Sequence, residues 1–135
     1  KRDWGHAKDY VKMMWLILQA ENADDWVIST GKTNSVRQFV IEAFKYVGIE
    51  IEFQGKGINE IGIIKSCSNK EYNLEKGKVV VQIDPNYYRP TEVDLLIGDS
   101  SKAKSELGWE PEISFQELVK EMMKSDLETF RNESK

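Results

Sequence analysis

The sequence has few of the residues from which disulfide and metal-bound frameworks are built. Its 135 residues include one cysteine, Cys67, and one histidine, His6. A single cysteine forms no disulfide within the chain, which is typical of a reducing cytoplasm, and it excludes a cysteine-built metal site in one chain. We therefore expect a cytoplasmic protein with no metal site, in which Cys67 is an inert thiol.

Long apolar runs and a charge excess of one sign are also missing. The longest apolar stretch, around residues 11–18, is interrupted by Lys12 and is too short to span a bilayer. Acidic and basic residues are interleaved and sum to −4, which argues against a general nucleic-acid or membrane-binding surface. Hydrophobic residues make up 40% and charged residues 31% of the chain, as in one compact globular domain.

Hydrophobic periodicity predicts alternating helices and strands, and hence an α/β fold. A helix is predicted at residues 7–20 and a strand buried on both faces at residues 26–28. A second helix is predicted to begin with a capping box of Ser35 and Gln38 and to end at Gly48. The inward stripe of the first helix is expected to be Ala7, Tyr10, Val11, Met14, Ile17 and Leu18.

The second half of the chain continues this alternation. Residues 49–53 have the period of a strand with one wet face, and 61–64, 79–83 and 95–97 are further strand candidates. Asp99 is expected to cap a short helix that Gly108 ends, and Ser114 with Glu117 forms a capping box for a terminal helix. The inner face of that helix is expected to be Phe115, Leu118, Val119, Met122, Leu127 and Phe130.

Arg37 is the first candidate anion-binding residue. It lies in the first turn of the Ser35-capped helix, where the macrodipole disfavours a cation by about 0.3–1 kcal/mol. Val40 and Ile41, one turn later, offer no carboxylate for an intrahelical ion pair. A bound phosphate at the helix end would compensate, and so would a distant carboxylate or full exposure to water.

Two other arginines are candidates because of their loops. Arg89 lies between two tyrosines and Pro90, where it is suited to clamp a diphosphate while the rings stack on a base or sugar. A plain turn with surface aromatics explains the same residues. Arg2 precedes the first helix, and neighbouring His6 is interpreted as structural, because no nucleophile or carboxylate pair lies near it in sequence.

Several of these segments together resemble one enzyme family. They are RDWGHAKDYV at residues 2–11, TG at 30–31, SVRQFV at 35–40, YYRPTEVD at 87–94, GD at 98–99, KAK at 102–104 and LGW at 107–109. In this order, and continued by the last helix, they resemble the GDP-mannose 4,6-dehydratases, which are extended short-chain dehydrogenase/reductase enzymes. The likeness covers nearly the whole chain.

The resemblance implies a substrate site. Family members bind NADP in an N-terminal Rossmann domain and hold GDP-mannose with a smaller C-terminal domain, giving GDP-4-keto-6-deoxymannose on the path to GDP-fucose. By that resemblance Arg2, Arg37 and Arg89 hold the GDP diphosphate. Asn34 and Glu92 are then polar contacts to the nucleotide or sugar.

The resemblance also implies that residues 1–135 are the C-terminal portion of such an enzyme. About 1–34 would contribute a helix and a strand that complete the Rossmann sheet, and the remainder would be the small α/β substrate-binding domain. The family's glycine-rich cofactor turn, catalytic Thr and Glu, and Tyr-x-x-x-Lys pair would lie before Lys1, so this chain alone is expected to be inactive. The complete enzyme is expected to be a homo-oligomer.

Two alternatives are open at this point. A related nucleotide-sugar epimerase or reductase shares the fold, although the RDWGH and YYRPTEVD segments favour the dehydratase. A non-catalytic nucleotide-sugar-binding or interaction module would differ from both in binding GDP-mannose without turning it over.

Overall fold

The computed structural model describes residues 1–72, 74–89 and 95–133, and the chain forms two compact units. The first unit is Lys1–Val36 together with Asp94–Lys135, and the second is Arg37–Val93. Both contain helices and strands, so the prediction of a mixed α/β protein is confirmed. The elements are β1 Arg2–Asp3, α1 Ala7–Gln19, β2 Thr33–Asn34, α2 Val36–Tyr46, β3 Ile49–Gln54, β4 Ile61–Cys67, β5 Val79–Gln82, α3 Ser101–Leu107 and α4 Phe115–Glu133.

The core of the first unit forms around Trp109. Met13 of α1, Ala103 of α3 and Trp109 are all buried and in contact. The Trp109 indole Nε1 donates to the main-chain oxygen of Asp9 over 3.0 Å, and the buried Asp9 carboxylate accepts from the amide of Ile113 over 3.1 Å. Since buried polar groups are costly unless they are hydrogen-bonded, these bonds fix α1 against the segment between α3 and α4.

Two helix ends of the first unit follow the sequence prediction, whereas the N-cap of α3 is Ser100 and not the expected Asp99. The α3 helix stops at Gly108, which adopts the left-handed φ of +63°, a conformation that glycine accepts without strain. At the start of α4, the amide and hydroxyl of Ser114 donate to the Glu117 carboxylate over 2.8 and 2.6 Å. The amide of Glu117 in turn donates to the Ser114 hydroxyl, so the predicted capping box is confirmed.

The second unit packs α2 on a three-stranded antiparallel sheet in the order β3-β4-β5. Ile49, Ile51 and Ile64 form its buried core, and the apolar face of α2 packs against them. Gly48 ends the helix region with a φ of +78°. The β4 strand extends to Cys67, beyond the predicted end at residue 64, because Cys67 pairs with Ile49.

Two predicted strands are not found. Residues 26–28 and 95–97 belong to no strand, because neither sheet among the described residues extends to them and a strand needs a paired neighbour. Trp26 and Ile28 instead pack against the core around Met13, while Val27 is more than half exposed.

The predicted helix faces are partly wrong. Val11, Met14, Trp15 and Leu18 form an exposed stripe on α1, with Leu18 80% exposed, while the buried side chains of that helix are Asp9 and Met13. On α4, Val119 is buried, but Met122 and Phe130 are exposed. Periodicity identifies apolar side chains, whereas the choice between two apolar faces depends on which neighbour packs against the helix.

Among the residues that the structure describes, no helix is both long and apolar enough to cross a bilayer.

Removal of the α4 cap tests the importance of this helix start. We expect Ser114→Ala to lower the free energy of unfolding by about 1 kcal/mol, because the amide of Glu117 loses its side-chain acceptor and the Glu117 carboxylate keeps only the Ser114 amide as donor from this residue. Ser125→Ala, at an exposed position inside the same helix, is the matched control. Equal effects of the two substitutions in urea denaturation would contradict the capping role.

Candidate functional site

Arg2 and Asn34, two residues expected to bind the nucleotide sugar, face each other in the short β1–β2 sheet. The strands are antiparallel, with Arg2 opposite Asn34 and Asp3 opposite Thr33. The side chain of Trp4 reinforces this pairing, since its Nε1 donates to the main-chain oxygen of Asn34 over 3.0 Å. The fold therefore brings together two residues that are separated by 32 positions in the sequence.

A carboxylate anchors the loop that precedes β2. Asp3 Oδ1 accepts from the amide and the hydroxyl of Thr30 over 3.0 and 2.6 Å, and Asp3 Oδ2 accepts from the amide of Gly31 over 3.0 Å. Gly31 has a φ of +67°, a left-handed conformation in which a side chain would be strained. Asp3 thus determines the path of the chain into β2, a role that sequence reasoning missed because its partners lie 27 and 28 residues away.

A cavity of about 370 Å³ lies on the side of Arg2 and Asp3. Ser29, a residue only 4% exposed, also lines it, but its hydroxyl oxygen is buried and has no hydrogen-bond partner among the described residues. Burial, followed by the charges of Asp3 and Asp9, raises the pKa of the Tyr10 hydroxyl in the same cavity, so this phenol is protonated at neutral pH. The lining of the cavity therefore includes a residue with a guanidinium, Arg2, and one with a phenol, Tyr10. Its lining residues are Arg2, Asp3, Tyr10, Ile28, Ser29, Leu96, Ile97 and Gly98.

A larger cleft of about 610 Å³ lies beside Asn34 and the start of α4. The rings of Trp4 and Phe115, 6.2 Å apart between centroids, form apolar parts of its wall. Lys32 and Asn34 contribute polar groups. Such a mixture of aromatic surface and a few polar groups suits a small organic ligand.

The structure gives His6 a structural position, as the sequence analysis expected. Its Nδ1 accepts from the amide of Lys8 over 3.1 Å and so caps α1. Its Nε2 lies 3.3 Å from Glu121, which also binds Lys8 over 2.9 Å. Within the described part of the chain, no cluster of histidine, cysteine and acidic side chains is suited to hold a metal ion.

Arg37, in the second unit, has a carboxylate partner far away in sequence. Its guanidinium pairs with Glu60 and lies 5.5 Å from the centroid of the Phe53 ring. The Arg37 side chain is 54% exposed and that of Glu60 is 17% exposed. Pairing with a distant carboxylate, one of the explanations that the sequence left open, is therefore what the structure shows. Any anion bound at Arg37 would share the guanidinium with Glu60.

Arg89 follows a short turn in the second unit. The Asp84 carboxylate caps this turn by accepting from the amide of Asn86 over 2.8 Å. Tyr87 is 83% exposed and Arg89 is also exposed, which makes the loop accessible to a ligand. Glu92, the remaining predicted contact, lies outside the described residues.

Comparison with known proteins identifies the family. The sequence model described as GDP-mannose 4,6 dehydratase matches residues 1–122. The chain is 53% identical over 131 residues to a GDP-mannose 4,6 dehydratase of Drosophila melanogaster, covering 97% of this chain and 31% of that protein. It is 52% identical to a GDP-mannose 4,6-dehydratase of Yersinia enterocolitica, covering 94% of this chain and 34% of that protein. It is 51% identical to one of Homo sapiens, covering 97% of this chain and 33% of that protein.

The chain therefore belongs to the GDP-mannose 4,6-dehydratase family. It spans about a third of the length of these curated relatives, with coverage between 31% and 34% of each. The resemblance that the sequence motifs indicated is confirmed, and the mixed α/β structure agrees with it.

The Glu121 pair predicts a pH dependence of stability. The hydrogen bond from Lys8, followed by the charges of Lys8 and His6, lowers the pKa of Glu121 below its ordinary value. Its contribution to stability is therefore present above the unfolded pKa of about 4.3 and is lost as the pH falls through the lower folded pKa. We expect Glu121→Gln to lower the unfolding temperature at pH 7 and to have no effect at the acidic end of the range.

The control for this measurement is Glu128→Gln, at an exposed position on the same helix. Thermal unfolding of both variants and the parent chain would be followed by circular dichroism at several pH values. If Glu121→Gln lowers the unfolding temperature by the same amount at pH 7 and at the acidic end, the proposed ion pair is contradicted.

Proposed function

We propose that this chain supplies nucleotide-sugar contacts of a GDP-mannose 4,6-dehydratase, which converts GDP-mannose to GDP-4-keto-6-deoxymannose on the path to GDP-fucose. The observation that carries the proposal is the family match over residues 1–122, with 53% identity to one relative across 97% of the chain. The dehydratases that it matches take their name from this reaction, which favours them over a related epimerase or reductase.

Arg2 and Asn34 are the proposed contacts of the first unit. A guanidinium forms bidentate, charge-assisted bonds to phosphate oxygens, and a side-chain amide both donates and accepts. The register of β1 and β2 supports a joint role, since it places these two residues opposite each other. Tyr10, whose phenol is protonated at neutral pH, lines the cavity beside Arg2 and is a further candidate donor.

Arg37 and Arg89 are the proposed diphosphate contacts of the second unit, with Glu92 as a polar contact. Exposure of Arg89 in a loop supports its assignment. For Arg37 the family resemblance provides the support, and Glu60 is then the carboxylate that holds the guanidinium when no diphosphate is bound.

We further propose that residues 1–34 complete a Rossmann-type sheet in the whole enzyme, where residues 26–28 would pair with a strand from outside these 135 residues, and that residues 35–135 form the rest of the substrate-binding portion. The exposed apolar stripe on α1, which includes Val11, Trp15 and Leu18, supports this because an apolar surface of this kind is typical of a face that another element covers. By the resemblance, NADP and the catalytic residues belong to parts of the family's sequence outside these 135 residues. The chain alone would then neither bind NADP nor dehydrate GDP-mannose.

Calorimetric titration of the 135-residue chain with GDP-mannose tests the proposal. We expect binding, and we expect Arg2→Ala and Arg89→Ala each to weaken it by about tenfold or more, since each removes a charge-assisted contact to the diphosphate. Lys124→Ala removes a cation from an exposed position on α4 and is the control for net charge. A folded parent chain that does not bind, or variants that all bind as the control does, would refute these assignments.

The Glu60 pair allows a separate test of Arg37. Glu60→Gln removes the carboxylate that holds the Arg37 guanidinium, so we expect a loss of unfolding free energy of at most about 1 kcal/mol. If Arg37 binds diphosphate, the same substitution tightens GDP-mannose binding, because the ligand no longer competes with Glu60, whereas Arg37→Ala weakens it.

The matched control for Glu60 is Glu75→Gln, an exposed acidic residue of the same unit. An affinity that is unchanged in both Arg37→Ala and Glu60→Gln would show that Arg37 serves the fold and does not contact the ligand.

A further inference from the structure

The β1–β2 sheet is too small to be stable by itself. Each strand has two residues, and isolated two-stranded pairs are only marginally stable even when they are longer. Something outside the ladder must therefore keep Arg2 opposite Asn34. The side chain of Asp3 supplies such contacts, since its carboxylate accepts three hydrogen bonds from Thr30 and Gly31.

We propose that Asp3 is a positioning residue for nucleotide-sugar binding, which acts by holding the loop at Thr30 and Gly31 so that β2 presents Asn34 opposite Arg2. This inference depends on the proposed function, since it assigns Asp3 a role in placing two of its contacts. Asp3 itself does not touch the ligand in this scheme. Its effect reaches the ligand through β2 and therefore mainly through Asn34.

The geometry favours this role over a general contribution to the core. Both carboxylate oxygens are used, one by the amide and hydroxyl of Thr30 and the other by the amide of Gly31. Hydrogen bonds to an ionised acceptor are about twice as strong as neutral ones. Only two residues separate Gly31 from Asn34 along the chain, so a displaced loop would move the Asn34 side chain directly.

The first experiment compares GDP-mannose affinity of the 135-residue chain with that of Asp3→Asn and Thr30→Val by calorimetry. Asp3→Asn keeps the size of the side chain but replaces one acceptor oxygen with an NH2 donor, where the amide of Gly31 needs an acceptor. Thr30→Val is milder toward Asp3, because both main-chain bonds to the carboxylate stay, although the hydroxyl's bonds with the main chain of Lys32 are lost as well. We expect about tenfold weaker binding for Asp3→Asn and about threefold weaker binding for Thr30→Val.

The second experiment separates positioning from stability by a double-mutant cycle with Asn34→Ala. If Asp3 acts through Asn34, then Asp3→Asn weakens binding by at most about twofold once the Asn34 side chain is absent. A general loss of stability would weaken binding by the same factor in both backgrounds. Asp126→Asn, at an exposed site on α4, is the control, and amide hydrogen exchange of Thr30 and Gly31 reports directly on the loop.

The outcomes distinguish the two proposals. The parent chain could bind GDP-mannose while Asp3→Asn weakens binding by the same factor with and without the Asn34 side chain, or does not weaken it. Either result overturns the positioning role and leaves the proposed function in place. Absence of binding by the folded parent chain overturns the proposed function and the positioning role together. Faster exchange at Thr30 and Gly31 in Asp3→Asn, combined with a loss of affinity that depends on Asn34, supports the inference.

Discussion

The buried indole of Trp109 is the interaction on which the first unit depends. Its ring packs against Met13 and Ala103, and its nitrogen donates to the main chain of Asp9. The Asp9 carboxylate then accepts from Ile113. One buried aromatic side chain and one buried carboxylate thus join two parts of the sequence that are about a hundred residues apart. Because both polar groups have partners, hydrogen bonds offset much of the cost of removing them from water.

That anchor lies next to the residues proposed to bind the nucleotide sugar. The α1 helix begins five residues after Arg2, and His6 caps it through the amide of Lys8. Asp3, between them, holds the loop before β2. The same short segment therefore belongs to the core on one side and to the candidate site on the other, and a change in either is transmitted to the other over a few residues.

The sequence predicted the elements that depend on local chemistry. The capping box of Ser114 and Glu117 and the glycine that ends α3 were predicted from side chains within a few residues of each other, and the structure confirms both. The strand at residues 26–28 was predicted from apolar composition alone, and it does not form. Its formation depends on a paired neighbour, which composition does not reveal.

In the candidate site, too, some features were predicted from the sequence and others were found only in the structure. The arginines and Asn34 were selected from motifs and from the family resemblance. The comparisons confirm the family, whereas the roles of these residues stay predictions. The sequence left pairing of Arg37 with a distant carboxylate open but did not identify Glu60, and it did not predict the anchoring role of Asp3, because each contact joins residues more than twenty positions apart. Glu92 lies outside the described residues, so its role stays a prediction.

The sequence by itself determined the family, the starts and ends of most helices, and the alternation that builds β3, since each depends on residue types at fixed short spacings. The tertiary structure decided which face of α1 is buried, which carboxylate holds Arg37, and how Arg2 comes to lie opposite Asn34. These depend on contacts between distant segments, and an apolar or charged side chain has no preference among partners until the chain has brought one of them within reach.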